Sequence, residues 1–100
     1  MNNPLLENIL DAVSAEFGVP RAQLLAPSRS SQDVAWARQV AMYLDHRLNR
    51  SGCWAETGRH FNRDRTTVRH AFLKVEANRD REDFDSVMER LENVCATAAV

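Results

Sequence analysis

The segment covering residues 57–71 constrains the fold more than any other, because it has the pattern of two helices joined by a tight turn. Phe61 is placed to end the first helix. Asn62 can then turn the chain sharply, since asparagine is one of the few residues besides glycine that tolerates a left-handed backbone. Asp64 suits the N-cap of the second helix, where its carboxylate would accept from an amide two or three residues further on. The segment therefore predicts a helix-turn-helix, which we place at about residues 53–79.

The second helix of this segment has an inward and an outward face. Helical spacing puts apolar residues on the inward face: Val68, Phe72 and Val75. It puts polar and cationic residues on overlapping outward faces: Arg65, Thr66, Arg69 and His70. An arginine can donate two hydrogen bonds to guanine, a threonine offers a hydroxyl and a methyl group, and a helix N-terminus attracts phosphate. A DNA major groove accepts these groups, so we predict that this is a recognition helix.

Two motifs in the chain are similar to those of a known family. The first is Arg63-Asp-Arg-Thr-Thr-Val68 followed by His70-Ala71, and the second is Ala37-Arg-Gln-Val-Ala-Met-Tyr-Leu44. Together they resemble the C-terminal DNA-binding domain of the bacterial replication initiator DnaA, and the resemblance covers about residues 5–92. The turn departs from the family signature, because it is one residue shorter and has Asn62 where two glycines are usual. Arg65 also replaces a histidine of the family.

The resemblance implies which residues contact DNA. Arg38 and Gln39 are similar to the family's phosphate-contacting pair, and Arg63 and Asp64 to its Arg-Asp pair. We expect base contacts from Asp64, Arg65, Thr66, Thr67 and His70. We expect contacts with the DNA backbone from Arg29, Arg38, Gln39, Arg63, Arg69 and Lys74. Arg29 lies in a loop that is more basic in the family and enters the minor groove there; a plain exposed loop is the open alternative.

Helical periodicity extends over the rest of the chain and predicts an all-α bundle of about six helices built around the helix-turn-helix. The predicted helices before the motif cover residues 4–17, 20–25 and 33–50. Asp33 is expected either to cap the third helix or to lie in its first turn. The last helix follows residue 83, and its predicted apolar face consists of Phe84, Val87, Leu91 and Val94, with Met88 at the margin. A chain of 100 residues is long enough for one small core, so we expect a single domain, residues 1–100.

The charge distribution favours a nucleic-acid partner although the net charge is −1. Residues 28–81 contain eleven Arg or Lys and six Asp or Glu, whereas residues 82–100 contain one and five. A basic centre next to an acidic end is the asymmetry that a DNA-facing surface requires, and the acidic last helix is expected to face away from DNA. No apolar run approaches the roughly 20 residues of a membrane span, and no signal-peptide pattern is present. We therefore expect a cytoplasmic, nucleoid-associated protein without a membrane contact.

Other chemistries have no matching pattern. His46, Cys53, His60, His70 and Cys95 lack the spacing of a zinc site. The two cysteines are expected to be free thiols in a reducing compartment. No nucleophile elbow and no Gly-x-x-x-x-Gly-Lys phosphate loop is present. We expect neither an enzyme nor a bound metal, nucleotide or other cofactor.

Two functions are consistent with these patterns. The first is sequence-specific binding of double-stranded DNA by a transcription or replication-initiation regulator that lacks an ATPase domain. The second is a helical protein–protein interaction module that has lost its affinity for DNA and binds a protein partner through the acidic C-terminal helix. The single arginine in the loop and the acidic net charge favour the second function, and the two motifs favour the first.

Overall fold

The computed structural model describes residues 3–26, 31–49 and 52–98, with side chains up to residue 96. Within these ranges the chain forms six helices and no strand. They are α1 (Pro4–Phe17), α2 (Arg21–Leu24), α3 (Gln32–Leu48), α4 (Trp54–Phe61), α5 (Arg65–Asn78) and α6 (Glu82–Ala98). The predicted all-α bundle is confirmed, and α4 and α5 form the predicted helix-turn-helix. None of the described helices is both long and apolar enough to cross a membrane.

Local sequence signals account for the ends of the first helices. Asn3 caps α1 by accepting from the amide three residues further on, at 3.1 Å. Gly18 ends α1 in the left-handed conformation, with φ at 65°. The hydroxyl of Ser31 caps α3, and Asp33 lies in its first turn. Of the two positions expected for Asp33, the first-turn position is the one observed. A carboxylate there is stabilised by the positive N-terminal end of the helix dipole.

Helix α3 lies at the centre of the core and contacts each of the other five helices. Its inward residues are buried: Val34, Ala37, Val40, Ala41, Met42, Tyr43 and Leu44. Helix α1 packs against it with Ile9, Leu10 and Val13, and the helix-turn-helix packs against it with Phe61, Val68, Ala71 and Val75. The recognition helix is thereby fixed to the core by its inward face alone, which leaves the opposite face available.

Helix α6 buries a face that differs from the predicted one. Met88, Leu91 and Cys95 are at most 2% exposed, whereas Val94 is 51% exposed. The prediction that Val94 faces the core is therefore wrong, and Met88 lies at the centre of the buried face rather than at its margin. The physical reason is that Cys95 behaves as a small hydrophobic residue and takes the inward position next to Val94. Burial raises the pKa of the Cys95 thiol to about 11.

Ion pairs fix the short connection between α5 and α6. The guanidinium of Arg79 contacts Asp85 at 2.5 Å and Glu92 at 3.0 Å, and it also donates to the hydroxyl of Tyr43 at 3.0 Å. That hydroxyl donates in turn to Glu76 at 2.7 Å. Burial, followed by the hydrogen bond to Glu76, raises the pKa of Tyr43 to about 12. Two carboxylates of α6 are thus neutralised inside the bundle.

Candidate nucleic-acid interface

The turn between α4 and α5 packs closely against α4. Asn62 adopts the expected left-handed conformation, with φ 55° and ψ 49°. The chain then folds back, and the amide of Arg63 donates to the carbonyl of Gly58 at 2.8 Å. A Cβ atom on Gly58 would lie far inside contact distance of the Arg63 carbonyl oxygen. Gly58 therefore permits the close approach that gives the turn its shape, and its partner is the turn backbone rather than the second helix.

Helix α5 begins with a side-chain cap. The Oδ1 atom of Asp64 accepts from the amide of Thr67 at 2.8 Å, as the sequence predicted. This hydrogen bond is the main reason that the pKa of Asp64 lies below its ordinary value. The cap fixes where the helix starts, so that Arg65 and Thr66 occupy its first turn, and both side chains are exposed.

The residues of α5 that point away from the core form one continuous surface. We call it the outer face of α5; it consists of Arg65, Thr66, Thr67, Arg69, His70, Leu73 and Lys74, all exposed. All the base-contact candidates other than Asp64 lie on it, as do two of the backbone candidates. The structure thus brings most of the predicted contact residues together on one helix.

The cations of the outer face form no ion pair with any described residue. The arginines that do form ion pairs lie elsewhere in the bundle: Arg21, Arg47, Arg79, Arg81 and Arg90. Arg65 and Arg69 therefore place positive charge in the first two turns of α5, whose N-terminus itself carries positive partial charge, and Lys74 adds a third cation further along the helix. Such a surface attracts anions.

Two arginines that were predicted to contact the DNA backbone are directed into the protein instead. Arg38 is only 7% exposed and donates to the carbonyl oxygens of residues 23 and 24, at 2.7 and 3.1 Å. Its burial, with a smaller contribution from Arg63, lowers the pKa of Arg38. Arg63 donates to the carbonyl oxygens of Ala26, at 2.9 Å, and Phe61, at 3.0 Å. Arg38 joins the end of α2 to α3, and Arg63 joins the segment after α2 to the turn of the motif. Their placement gives no support to a phosphate contact.

The geometry of α4, the turn and α5 agrees with a comparison to known families. Residues 6–75 match the model of the bacterial dnaA protein helix-turn-helix. The chain belongs to this family. The match includes α1 to α4 and most of α5, and it leaves α6 outside.

Three relatives show the extent of the similarity to the DnaA family. The chain is 44% identical over 73 residues to the chromosomal replication initiator proteins DnaA of a Bradyrhizobium species and of Nitrobacter hamburgensis. It is 43% identical over 72 residues to that of Rhodopseudomonas palustris. These alignments cover 71–72% of the chain but only 15% of each relative. The similarity therefore concerns one part of a much larger protein.

The remaining backbone candidates lie beside the DnaA-like motif. Gln39 and Lys74 line one groove between the start of α3, the end of α5 and the start of α6. Lys74 Nζ lies 5.6 Å from the ring centroid of Trp36. The ring centroids of Trp36 and Phe84 are 5.5 Å apart. Gln39 is half-buried, and its Oε1 atom has no hydrogen-bond partner among the described residues. The expectation for Arg29 falls outside the described residues.

A buried polar cluster that the sequence analysis did not predict fixes α4. Asp45 is fully buried on α3; its Oδ2 accepts from the Thr57 hydroxyl at 2.9 Å and lies 2.8 Å from His60 Nδ1. His60 Nε2 lies 3.4 Å from the side-chain nitrogen Nδ2 of Asn3, the cap of α1. One carboxylate therefore connects α3 with α4, and His60 extends the connection to α1. The signal was an acid within the apolar stripe of α3, because a buried carboxylate requires partners.

A group of packed aromatic rings lies between α3, α4 and α5. His46 stacks on Trp54 with centroids 3.8 Å apart, and Phe72 contacts both rings edge-on. Phe72 also stacks on Tyr43 at 4.7 Å. Burial is the main reason that the pKa of His46 is lowered from 6.5. These rings hold the start of α4 and the middle of α5 in fixed positions against α3.

The two cysteines considered for a zinc site lie in different surroundings. Cys53 is exposed and Cys95 is buried, and they are not joined by a disulfide. In the part of the chain that is described, no three His, Cys, Asp or Glu side chains form a group that could hold a metal ion.

Proposed function

We propose that this chain binds double-stranded DNA by placing the outer face of α5 in the major groove. The observation that carries this proposal is that Arg65, Arg69 and Lys74 form no ion pair with a described residue, whereas other arginines of the bundle pair with acids away from this face. Placing α5 in the groove would bring these cations next to phosphates and release condensed counterions. The family match supports the same reading.

The contacts divide into two kinds along α5. Asp64, Arg65, Thr66, Thr67 and His70 belong to the first two turns, where a recognition helix meets base edges. Arg69 and Lys74 extend from the sides of α5 and would contact phosphates of the DNA. Gln39, which lines the protein groove between α3, α5 and α6, would contact a phosphate as well. Arg38 and Arg63 would position these contact residues from inside the protein.

A salt titration tests binding to DNA. Two phosphate contacts, by Arg69 and Lys74, predict that log affinity falls with log salt at a slope of about −2. The measurement is the anisotropy of a labelled random-pool duplex at several salt concentrations. An absence of binding to any duplex at low salt would refute the proposal and leave the interaction module as the function of the fold.

Matched variants separate the two kinds of contact. Lys74→Ala should weaken binding to all duplexes equally, because phosphates carry no sequence information. Thr66→Ala should weaken binding to the preferred duplex by about 1–3 kcal/mol and leave random DNA nearly unaffected. Arg90→Ala is the control for the loss of one positive charge, since Arg90 lies on α6 and pairs with Glu16. If Thr66→Ala and Lys74→Ala lose affinity for both duplexes in the same proportion, the division of the contacts is wrong.

Arg65 is proposed to read a guanine. Its guanidinium can donate to O6 and N7 together, a pairing that a single imidazole does not make. The preferred site is therefore expected to overlap the site of the family but to differ at one or two adjacent base pairs. Selection from a random duplex library measures this, and Arg65→His should move the preference toward the family's site. An unchanged preference in Arg65→His would assign Arg65 to a phosphate.

The proposed biological role follows from the proposed site. A protein whose preferred sequence overlaps that of the initiator would occupy initiator-like sites at the nucleoid, as a regulator of replication initiation or of nearby transcription. Mapping the occupied chromosomal sites tests this role. Sites without any overlap with the initiator's sequence would exclude competition with the initiator and leave a transcriptional role.

A further inference from the structure

Leu73 is an exposed apolar residue on the outer face of α5. It is 47% exposed, and only Leu25 and Val94 are comparable among the large apolar residues that the structure describes. The inward positions of α5 are already filled by Val68, Ala71 and Val75. Packing within the bundle therefore does not explain a leucine at this position.

The position of Leu73 on α5 is that of a reading residue. Thr66, Arg69, His70 and Leu73 follow one another at i, i+3, i+4 and i+7, so they form one strip along the helix. Homeodomain recognition helices place their reading residues at this same spacing. Seven residues span about 10 Å of helix, which equals about three base-pair steps at 3.4 Å each. The strip can thus reach across several adjacent base pairs.

The neighbours of Leu73 decide what kind of surface it meets. Arg69, His70, Lys74 and Glu76 lie next to it along the helix. The two cations form no ion pair with a described residue, whereas Glu76 accepts from the Tyr43 hydroxyl at 2.7 Å. A polyanion is the partner that such a surface attracts, which favours DNA over an apolar protein surface. Among the groups that base pairs present in the major groove, the C5-methyl group of thymine is the apolar one.

We propose that Leu73 determines specificity by contacting the C5-methyl group of a thymine about three base pairs from the one that Thr66 contacts. This inference rests on the proposed function, because it requires α5 to lie in the major groove. It goes beyond that function by adding an apolar residue to the proposed base contacts and by naming the chemical group that this residue reads.

Deoxyuridine substitution tests the inference directly. Deoxyuridine pairs like thymidine and lacks only the methyl group, so replacing each thymine of the selected duplex in turn removes one methyl at a time. Burying one such carbon changes affinity by about fourfold. We expect the wild-type protein to lose about fourfold at one thymine. Leu73→Ala should bind the thymine and uracil duplexes equally at that position.

Val94→Ala is the matched control, because Val94 is equally exposed but lies on α6. It should keep the fourfold difference between thymine and uracil. Circular dichroism should show that both variants fold, because neither side chain packs in the core.

Each other outcome overturns the inference in a recognisable way. Binding by the wild type without sensitivity to any uracil, or a selected site without thymine at the required distance, refutes the role of Leu73 and leaves the proposed function intact. An unchanged fourfold loss in Leu73→Ala assigns the methyl group to another side chain. A change of oligomeric state in Leu73→Ala without DNA would assign Leu73 to contacts between copies of the chain. An absence of wild-type binding to any duplex refutes the proposed function itself.

Discussion

Replacing Gly58 with alanine should destabilise the protein, although the same change in an ordinary helix is stabilising. Gly58 is buried in α4, and a Cβ atom there would overlap with the carbonyl oxygen of Arg63 in the turn. The clashing atom belongs to the backbone, so it cannot be relieved by a change of rotamer. Either α4 or the turn has to move.

Two effects of opposite sign determine how much Gly58→Ala changes the free energy of unfolding. Alanine is favoured over glycine by about 1 kcal/mol in a helix interior. Forcing an extra methyl group into a packed site costs about 1–3 kcal/mol. We therefore expect a net loss of about 1 kcal/mol of unfolding free energy, from the middle of these ranges. Domains of this size have roughly 5–15 kcal/mol of stability, so the variant stays folded and its DNA binding can be measured.

Urea denaturation and duplex titration together provide the assay. The displaced turn should lower the preference of Gly58→Ala for its selected duplex over random DNA, because the recognition helix starts at the end of this turn. Gly18→Ala is the control: Gly18 has φ 65° and no atom near its absent Cβ. It should lose about 1–2 kcal/mol through backbone strain and keep its sequence preference. A Gly58→Ala variant that gains stability and keeps its preference would refute the close contact between turn and helix.

Three further predictions concern the core, and each is measured by chemical denaturation. Asp45→Ala should cost about 2–4 kcal/mol, because two side-chain partners of this buried carboxylate lose their acceptor. The pKa of His46 is lowered in the folded state, so the unfolded chain binds a proton at His46 more tightly than the folded chain does. The neutral His46 side chain therefore contributes stability above pH 6.5, and this contribution is lost as the pH falls below that value. His46→Gln should remove this part of the pH dependence of stability. Met88→Ala should cost about 2–5 kcal/mol by opening a cavity, whereas the exposed Val94→Ala should change stability by less than about 0.5 kcal/mol; equal effects of the last two would contradict the observed orientation of α6.

Features that depend on local sequence could be predicted from the chain alone. Asn62, Asp64 and the inward spacing of α5 are local signals, since each acts on backbone within a few residues. For Asp33 the local sequence left two positions open, the cap of α3 and its first turn, and the structure shows the second.

Features that depend on tertiary contacts could not be predicted in this way. Arg38 has a long side chain that reaches either solvent or the carbonyl groups of α2, and the choice depends on how α2 and α3 pack. Arg63 presents the same ambiguity at the turn. The face of α6 was misjudged for a related reason, because Val94 and Cys95 are both apolar, and only packing against α1 and α3 decides which one is buried.

The acidic net charge is compatible with a DNA-binding surface because the fold pairs several of its acids with cations away from the outer face of α5. Arg79 and Arg47 contact Glu92, Arg21 contacts two acids of α1, and Arg90 contacts Glu16. Salt limits the range of each unpaired charge to about 10 Å, so a phosphate at the outer face of α5 responds to the charges on that face rather than to the sum over the chain. The cations on that face have no acidic partner among the described residues. Which charges are neutralised inside the bundle therefore decides what this surface attracts, and a net charge counted from the sequence does not contain that information.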